Sequence, residues 1–184
     1  MAIYSDDFNR ADSTTVSGWT EITDDWSIKS NQLAPGLTTT GVILYASPLD
    51  TSDHYAQITI TAATTTSMGV FARADVNATN YYLLRNNASS WNLFSNIAGT
   101  FTSIGSYSAA AVNGDVARIQ CIGTTIKAII NGTERISVTD STITTGLYAG
   151  VRSTQSSTTR YDNFTTADTG TTGSADPGAF FMFM

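Results

Sequence analysis

Apolar and polar residues alternate along most of this chain with a period of two. Between His54 and Ala62, the residues Ala56, Ile58, Ile60 and Ala62 fall on one side and Tyr55, Gln57, Thr59 and Thr61 on the other. That is the mark of a half-buried strand. The same pattern predicts strands at 3–8, 42–46, 68–75, 80–86, 91–97, 100–107, 115–122, 125–130, 134–138, 146–152 and 159–165, with shorter pieces around Trp19, Trp26 and Leu33. Turn signals separate them: Val76-Asn77-Ala78-Thr79, Ala98-Gly99, Gly123-Thr124 and Asn131-Gly132. The last is the strongest, because both of its residues tolerate positive φ. No stretch holds helical periodicity for three turns, and the run Ala109-Ala110-Ala111 is too short to nucleate a helix. Strands recurring about every 8–12 residues indicate an all-β sandwich or barrel rather than βαβ units. Asp6-Asp7-Phe8 and Asp162-Asn163-Phe164 bracket the series, so the first and last strands are expected to pair and close one β-sandwich. Trp19 and Trp26 read as core plugs at its edge, since an indole buries a large area.

The pattern stops near residue 167. The expected division is a sandwich over 1–166 and a linker with an apolar tail over 167–184. Residues 168–177 are mostly Thr, Gly, Ser and Asp, a linker composition. Phe180, Phe181, Met182, Phe183 and Met184 then run consecutively. Either this tail folds back on its own sandwich or it docks on another subunit or protein. The preceding linker favours docking. A segment this short cannot cross a bilayer, and no run of about 18 apolar residues occurs elsewhere, so no membrane span is expected.

Composition narrows the partners. Charged residues make up 13% of the 184 positions, and Ser with Thr fill more than a quarter. Such uncharged, Thr-rich surfaces suit extracellular, carbohydrate-binding or virion proteins. The net charge is −6 with nine scattered Lys and Arg, which leaves no basic stripe for a nucleic-acid backbone. Cys121 is the single cysteine, so no internal disulfide forms, and its place in an alternating run marks it as a buried thiol. The opening residues hold no charged region followed by an apolar run, so no secretory signal is expected.

The order of features resembles the concanavalin A-like lectin and glucanase superfamily, in its laminin-G-like branch. The likeness rests on Asp7-Phe8 with Arg10 and Trp19, then Trp26-Ser27-Ile28 and Asn31-Gln32-Leu33. It continues through Gly69-Val70-Phe71-Ala72-Arg73 with Asn80-Tyr81-Tyr82-Leu83, then Gly146-Leu147-Tyr148-Ala149-Gly150-Val151. It closes on Tyr161-Asp162-Asn163-Phe164. It spans residues 3–166 and implies a jelly roll of two large antiparallel sheets, one of them concave.

The glucanases of that superfamily set several carboxylates on one strand, as glycoside hydrolysis requires. Glu21 and Glu134 are the only glutamates here, and no such pattern occurs. His54 is the only histidine and reads as a solvated residue of the loop before a strand rather than a general base. With one histidine and one cysteine, a zinc site of such ligands is ruled out by counting. The resemblance implies a structural calcium ion near the junction of the first and last strands, with Asp6, Asp7 and Asp162 as oxygen ligands. The alternative is that Asp7 and Asp162 cap turns or pair with Arg10 and Arg160. A second implied site is glycan recognition on the concave face, where aromatic platforms stand beside planar polar groups. Phe71 and Arg73 are expected to share one strand face and Tyr148 and Arg152 another, with Tyr82 and Asn92 on neighbouring strands. The competing view makes these tyrosines core residues and these arginines surface counter-charges.

The reading that gathers these features is a non-enzymatic structural or decoration protein of a tailed-bacteriophage virion, in capsid or tail. It would bind other virion proteins or its own copies through the tail, and host or environmental glycans through the sandwich. The alternative is a carbohydrate-binding module of a secreted polysaccharide-active system.

Overall fold

A computed structural model of the chain describes residues 1–170. The remainder of the expected linker and the tail residues Phe180 to Met184 lie outside the described residues. Within them there are fifteen strands and no helix. In chain order they are β1 (Ile3–Asp6), β2 (Trp19–Thr23), β3 (Ser27–Lys29), β4 (Gln32–Ala34), β5 (Gly41–Tyr45), β6 (His54–Ala62), β7 (Met68–Ala74) and β8 (Asn80–Asn86). Next come β9 (Trp91–Ile97), β10 (Thr100–Tyr107), β11 (Asp115–Ile122), β12 (Thr125–Ile130), β13 (Thr133–Thr139), β14 (Tyr148–Ser153) and β15 (Arg160–Asp168).

All pairings are antiparallel and form two sheets. One runs β13-β12-β11-β6-β15-β4-β3, with β1 also on β15. The other has seven strands in the order β10-β9-β8-β7-β14-β5-β2. The sheets pack face to face as a jelly-roll sandwich, as expected. Alternation explains the core: β6 buries Ala56, Ile58 and Ile60, and β11 buries Ala117, Ile119 and Cys121. The seven-stranded sheet presents Val70, Tyr82, Leu84, Leu93 and Val151 to them. Each fully buried aliphatic or aromatic side chain here contributes about 1.5–3 kcal/mol of apolar burial. Cys121 is buried as predicted, and burial pushes its thiol up to about 12, so it stays protonated at neutral pH. The Ala98-Gly99 and Asn131-Gly132 turns carry positive φ at both residues (47° and 86°, 52° and 76°), the backbone that the strand twist demands of a two-residue hairpin.

The first and last strands do pair, from Ile3 opposite Ala167 to Asp6 opposite Phe164. Strand β15 continues to Asp168, two residues past the expected end of the sandwich at 166. The Asp168 carboxylate accepts from the backbone N–H groups of Ala2 and Thr51, which ties this last turn of chain to both neighbours.

At the closing corner, Phe8 and Phe164 are both fully buried against Trp19, with ring centroids 5.6 and 4.7 Å from the indole. Asp6 organises the corner. Its carboxylate accepts from Arg10 Nη1 (2.7 Å) and Nη2 (3.0 Å), from Trp19 Nε1 (2.8 Å) and from the Phe8 N–H (2.8 Å). Burial opposes its charge, but these donors outweigh burial and hold its pKa below the ordinary aspartate value.

Candidate functional site

The outer face of the seven-stranded sheet carries a second apolar cluster, separate from the core between the sheets. Val42, Leu44, Phe71, Tyr81 and Leu83 are buried in it, and Phe94, Phe101 and Tyr148 pack on it half-buried. An outer sheet face so well covered must be strongly curved, and one contact shows how strongly. Strands β14 and β10 stand four spacings apart, roughly 19 Å along a flat sheet. Yet the Arg152 guanidinium carbon lies 4.8 Å from the centroid of the Phe101 ring. This face is therefore concave, and Arg152 reaches across it.

Register sets the layout. Val42, Arg152, Gly69, Arg85, Asn92 and Ser106 form one transverse row, each the partner of the next across the sheet. Leu44, Gly150, Phe71, Leu83, Phe94 and Ser103 form the next row. Gly150 is required there, because a Cβ would meet the carbonyl of Ile43 and the Phe71 ring. Tyr81, Asn96 and Phe101 make a third row on three strands. The rings form a chain: Phe71 to Tyr81 at 4.7 Å, Tyr81 to Phe101 at 6.2 Å and Phe101 to Phe94 at 6.1 Å. Arg85 lies over Phe94 at 4.4 Å. Burial raises the pKa of the Tyr81 phenol, against the pull of the Arg152 and Arg85 cations.

A groove of ≈ 500 Å³ opens beside Arg152, with Ile22 and Val42 on one wall, Tyr81 and Phe101 on the other, and the turn at Asn77–Thr79 at its end. Asn96 lines it and is almost fully buried. Its Nδ2 donates to Thr79 O at 3.0 Å, which fixes the amide orientation, and its Oδ1 has no partner among the described residues. A buried acceptor without a donor is uncommon in a folded protein.

Of the expected glycan residues, Asn92, Tyr148 and Arg152 lie on this face. Phe71 is on it too, but as fully buried floor. Arg73 and Tyr82 are not on it. Phe71 pairs with Gly150 and Ala74 with Tyr148, so Ala72 and Arg73 together oppose Ala149. This β-bulge, with φ 53° at Arg73, turns the Arg73 side chain inward, where alternation alone would place it beside Phe71. The buried guanidinium donates to Ser52 O (2.9 Å), Gly123 O (2.9 Å), Ile143 O (3.0 Å) and Asp53 Oδ1 (3.1 Å). It is a clamp on three loops. Tyr82 belongs to the inter-sheet core, and its hydroxyl bonds Asp140 and the Ile143 N–H.

His54 is also displaced from its expected setting. It opens β6 fully buried instead of lying in a solvated loop. Its Nδ1 meets Thr51 O at 2.9 Å and its Nε2 accepts the Arg73 N–H at 2.8 Å, which specifies the neutral ring protonated on Nδ1. Burial lowers its pKa.

The three carboxylates expected as calcium ligands all accept hydrogen bonds from the protein. Asp6 accepts four hydrogen bonds from protein donors, which occupies its carboxylate. Asp7 accepts from the Asn9 N–H and Asp162 from the Asn163 N–H. Among the described residues no three carboxylate, histidine or cysteine side chains group as a metal site. Glu21 stands on β2, at the edge of one sheet, and Glu134 on β13, at the edge of the other, where it pairs with Lys127. The two cannot act as the acid and nucleophile of a glycosidase, which sit about 5–9.5 Å apart.

Sequence reasoning missed Tyr81, Arg85, Phe94, Asn96 and Phe101. A signal for them existed: once Tyr82 and Leu84 are assigned to the core, Tyr81 and Arg85 must face outward, and the adjoining hairpins carry that parity to Phe94, Asn96 and Phe101.

No family model and no curated protein sequence matches this chain. Solved structures do. The carbohydrate-binding module CBM66 from Bacillus subtilis is 18% identical, with a TM-score of 0.67 over 82% of this chain and 92% of that one. A Bacillus subtilis protein of unknown function with a galectin-like fold is 12% identical, with a TM-score of 0.67 over 90% of this chain and 94% of its own. The β-agarase B of Zobellia galactanivorans is 8% identical, with a TM-score of 0.65 over 89% of this chain and 91% of that one. These likenesses establish a galectin-like, concanavalin A-like jelly roll, a fold that carries both binding modules and enzymes.

Proposed function

We propose that this domain is a non-enzymatic carbohydrate-binding module that holds a saccharide in the concave groove of its seven-stranded sheet. The observation that carries the reading is the groove itself: an aromatic wall at Tyr81 and Phe101 beside Arg152 and the buried amide of Asn96. Sugars present apolar C–H faces and hydroxyl edges together, and a site with a few placed polar groups on an apolar lining matches both. The outward rows across β5, β14, β7, β8, β9 and β10 hold no Asp or Glu, so the groove supplies binding groups without a general acid or nucleophile. The binding-module neighbour supports the same reading through its fold.

The test is retention on a panel of insoluble polysaccharides, followed by titration with oligosaccharides of whichever is bound. Asn96→Ala and Phe101→Ala are expected to weaken binding about tenfold each, the loss of one buried polar contact or one ring face. Retention on none of the panel, or binding indifferent to both substitutions, would refute the groove as the site.

The further placement of this module on a virion rests on the apolar run Phe180 to Met184, outside the described residues. It is tested by whether the protein co-purifies with phage particles and whether deletion of 178–184 abolishes incorporation.

A further inference from the structure

We propose that the concave face selects an acidic saccharide, one bearing carboxylate or sulfate groups. This rests on the proposed function above and assigns its ligand class. The chain as a whole is negative, at −6 with only nine Lys and Arg. Two of those nine, Arg85 and Arg152, stand on the concave face in one transverse row, separated only by Gly69. No carboxylate faces them. The ion pairs of the described residues are Arg10–Asp6, Arg73–Asp53, Lys127–Glu134 and the N-terminus with Asp50, and none of them involves this face.

Asp75 opens the turn whose Asn77–Thr79 segment ends the groove. Its carboxylate accepts from the N–H groups of Asn77, Thr79 and Asn80 and from the Thr79 hydroxyl. It is committed to that turn. Each guanidinium of the row instead lies on an aromatic ring, Arg85 on Phe94 and Arg152 on Phe101. A guanidinium held by its flat face keeps its N–H edge available for hydrogen bonding. The Nε of Arg85 is buried with no acceptor among the described residues. Burial, and then the Arg152 cation, lower the Arg85 pKa, which is the electrostatic strain of two like charges sharing a desolvated face. An anionic group entering beside them relieves that strain and accepts charge-assisted hydrogen bonds. A neutral sugar does neither.

The experiment is calorimetric titration of the full chain with three probes: oligogalacturonate, the same oligomer after carboxyl reduction to neutral sugar, and a sulfated galactan oligosaccharide. Binding of either acidic probe at least about tenfold tighter than the neutral one, weakening as salt rises, supports the inference. The two acidic arms show whether carboxylate or sulfate is the group read. Arg85→Gln and Arg152→Gln should each remove most of that preference. Comparing the probes on the unaltered protein carries the test even if a variant folds poorly. Equal affinity for neutral and acidic probes would overturn the acidic-ligand inference while sustaining saccharide binding. Polyglutamate bound as tightly as the acidic sugars, with no neutral sugar bound at all, would overturn both.

Discussion

The guanidinium of Arg152 packs on the ring of Phe101, 4.8 Å from its centroid, although four strand spacings separate their backbones in one sheet. The contact spans the concavity and sets one wall of the groove. Phe101→Ala removes this cation–π contact together with the edges shared with Tyr81 and Phe94. The expected loss is about 1–2 kcal/mol of stability. For a domain of this size, that lowers Tm by roughly 2–4 °C per kcal/mol, readable in a thermal melt.

Arg73 makes a sharper prediction, because its buried charge is satisfied by acceptors from three loops and one carboxylate. Arg73→Met leaves three carbonyls without this donor and Asp53 with only the Gly123 N–H, and is expected to cost about 3–5 kcal/mol. Arg73→Lys should recover little of it, since an ammonium cannot reproduce the fork that reaches Ser52, Gly123 and Ile143 together. Urea midpoints of the two variants check this. A lysine variant as stable as the parent would contradict the clamp.

Stability should fall with acid in two separate windows. His54 is buried neutral with a lowered pKa, so the unfolded chain takes up its proton first. The stability it contributes is complete above the unfolded histidine pKa of about 6.5 and declines as pH drops below that value. The lowered aspartates, Asp6 among them, act in the other window. Their contribution holds above about pH 4 and is lost as pH falls through their folded values. Urea midpoints between pH 8 and pH 5 should slope in the parent and lie flat in His54→Gln.

Asp6→Asn keeps the shape of the closing corner but removes the charge that Arg10 grips. It should destabilise the domain by about 1–3 kcal/mol. Because Arg10, Trp19 and the Phe8 N–H occupy that carboxylate, adding a chelator or calcium should leave the Tm of the parent unchanged. A calcium-dependent rise in Tm that vanishes in Asp6→Asn would show that the carboxylate binds the ion instead.

Gly150→Ala tests the floor of the concave face. The added methyl would meet the Ile43 carbonyl and the Phe71 ring, and relief of that overlap should cost about 1–3 kcal/mol. Equilibrium unfolding is the measurement.

Much of the fold was legible in the residue pattern. Alternation in 54–62 and 115–122 places the core positions of β6 and β11, and Asn131-Gly132 places its hairpin. The paired Asp-Phe motifs announce the closing strands, with Phe8 and Phe164 meeting at Trp19. These features are local or short-ranged: a period of two, a turn that needs positive φ, an aromatic that must be buried. The same parity correctly put Tyr148 and Arg152 on one face.

Parity failed where the ladder is interrupted. One extra residue at Ala72–Arg73 reverses which side of β7 faces the core, so Arg73 became a buried clamp while Phe71 stayed on the concave floor. Nothing local to 68–75 signals the bulge, because the partners that hold it, Ala149 opposite and His54 at Nε2, lie far along the chain. At the closing corner the partners of Asp6 are nearby in the chain, Arg10 four residues on and Trp19 thirteen. The sequence by itself determined the strands, their turns and the residues able to fill a core. The tertiary structure decided which side chains converge on the concave face, because sheet curvature and a single bulge depend on pairings between distant strands that no local pattern encodes.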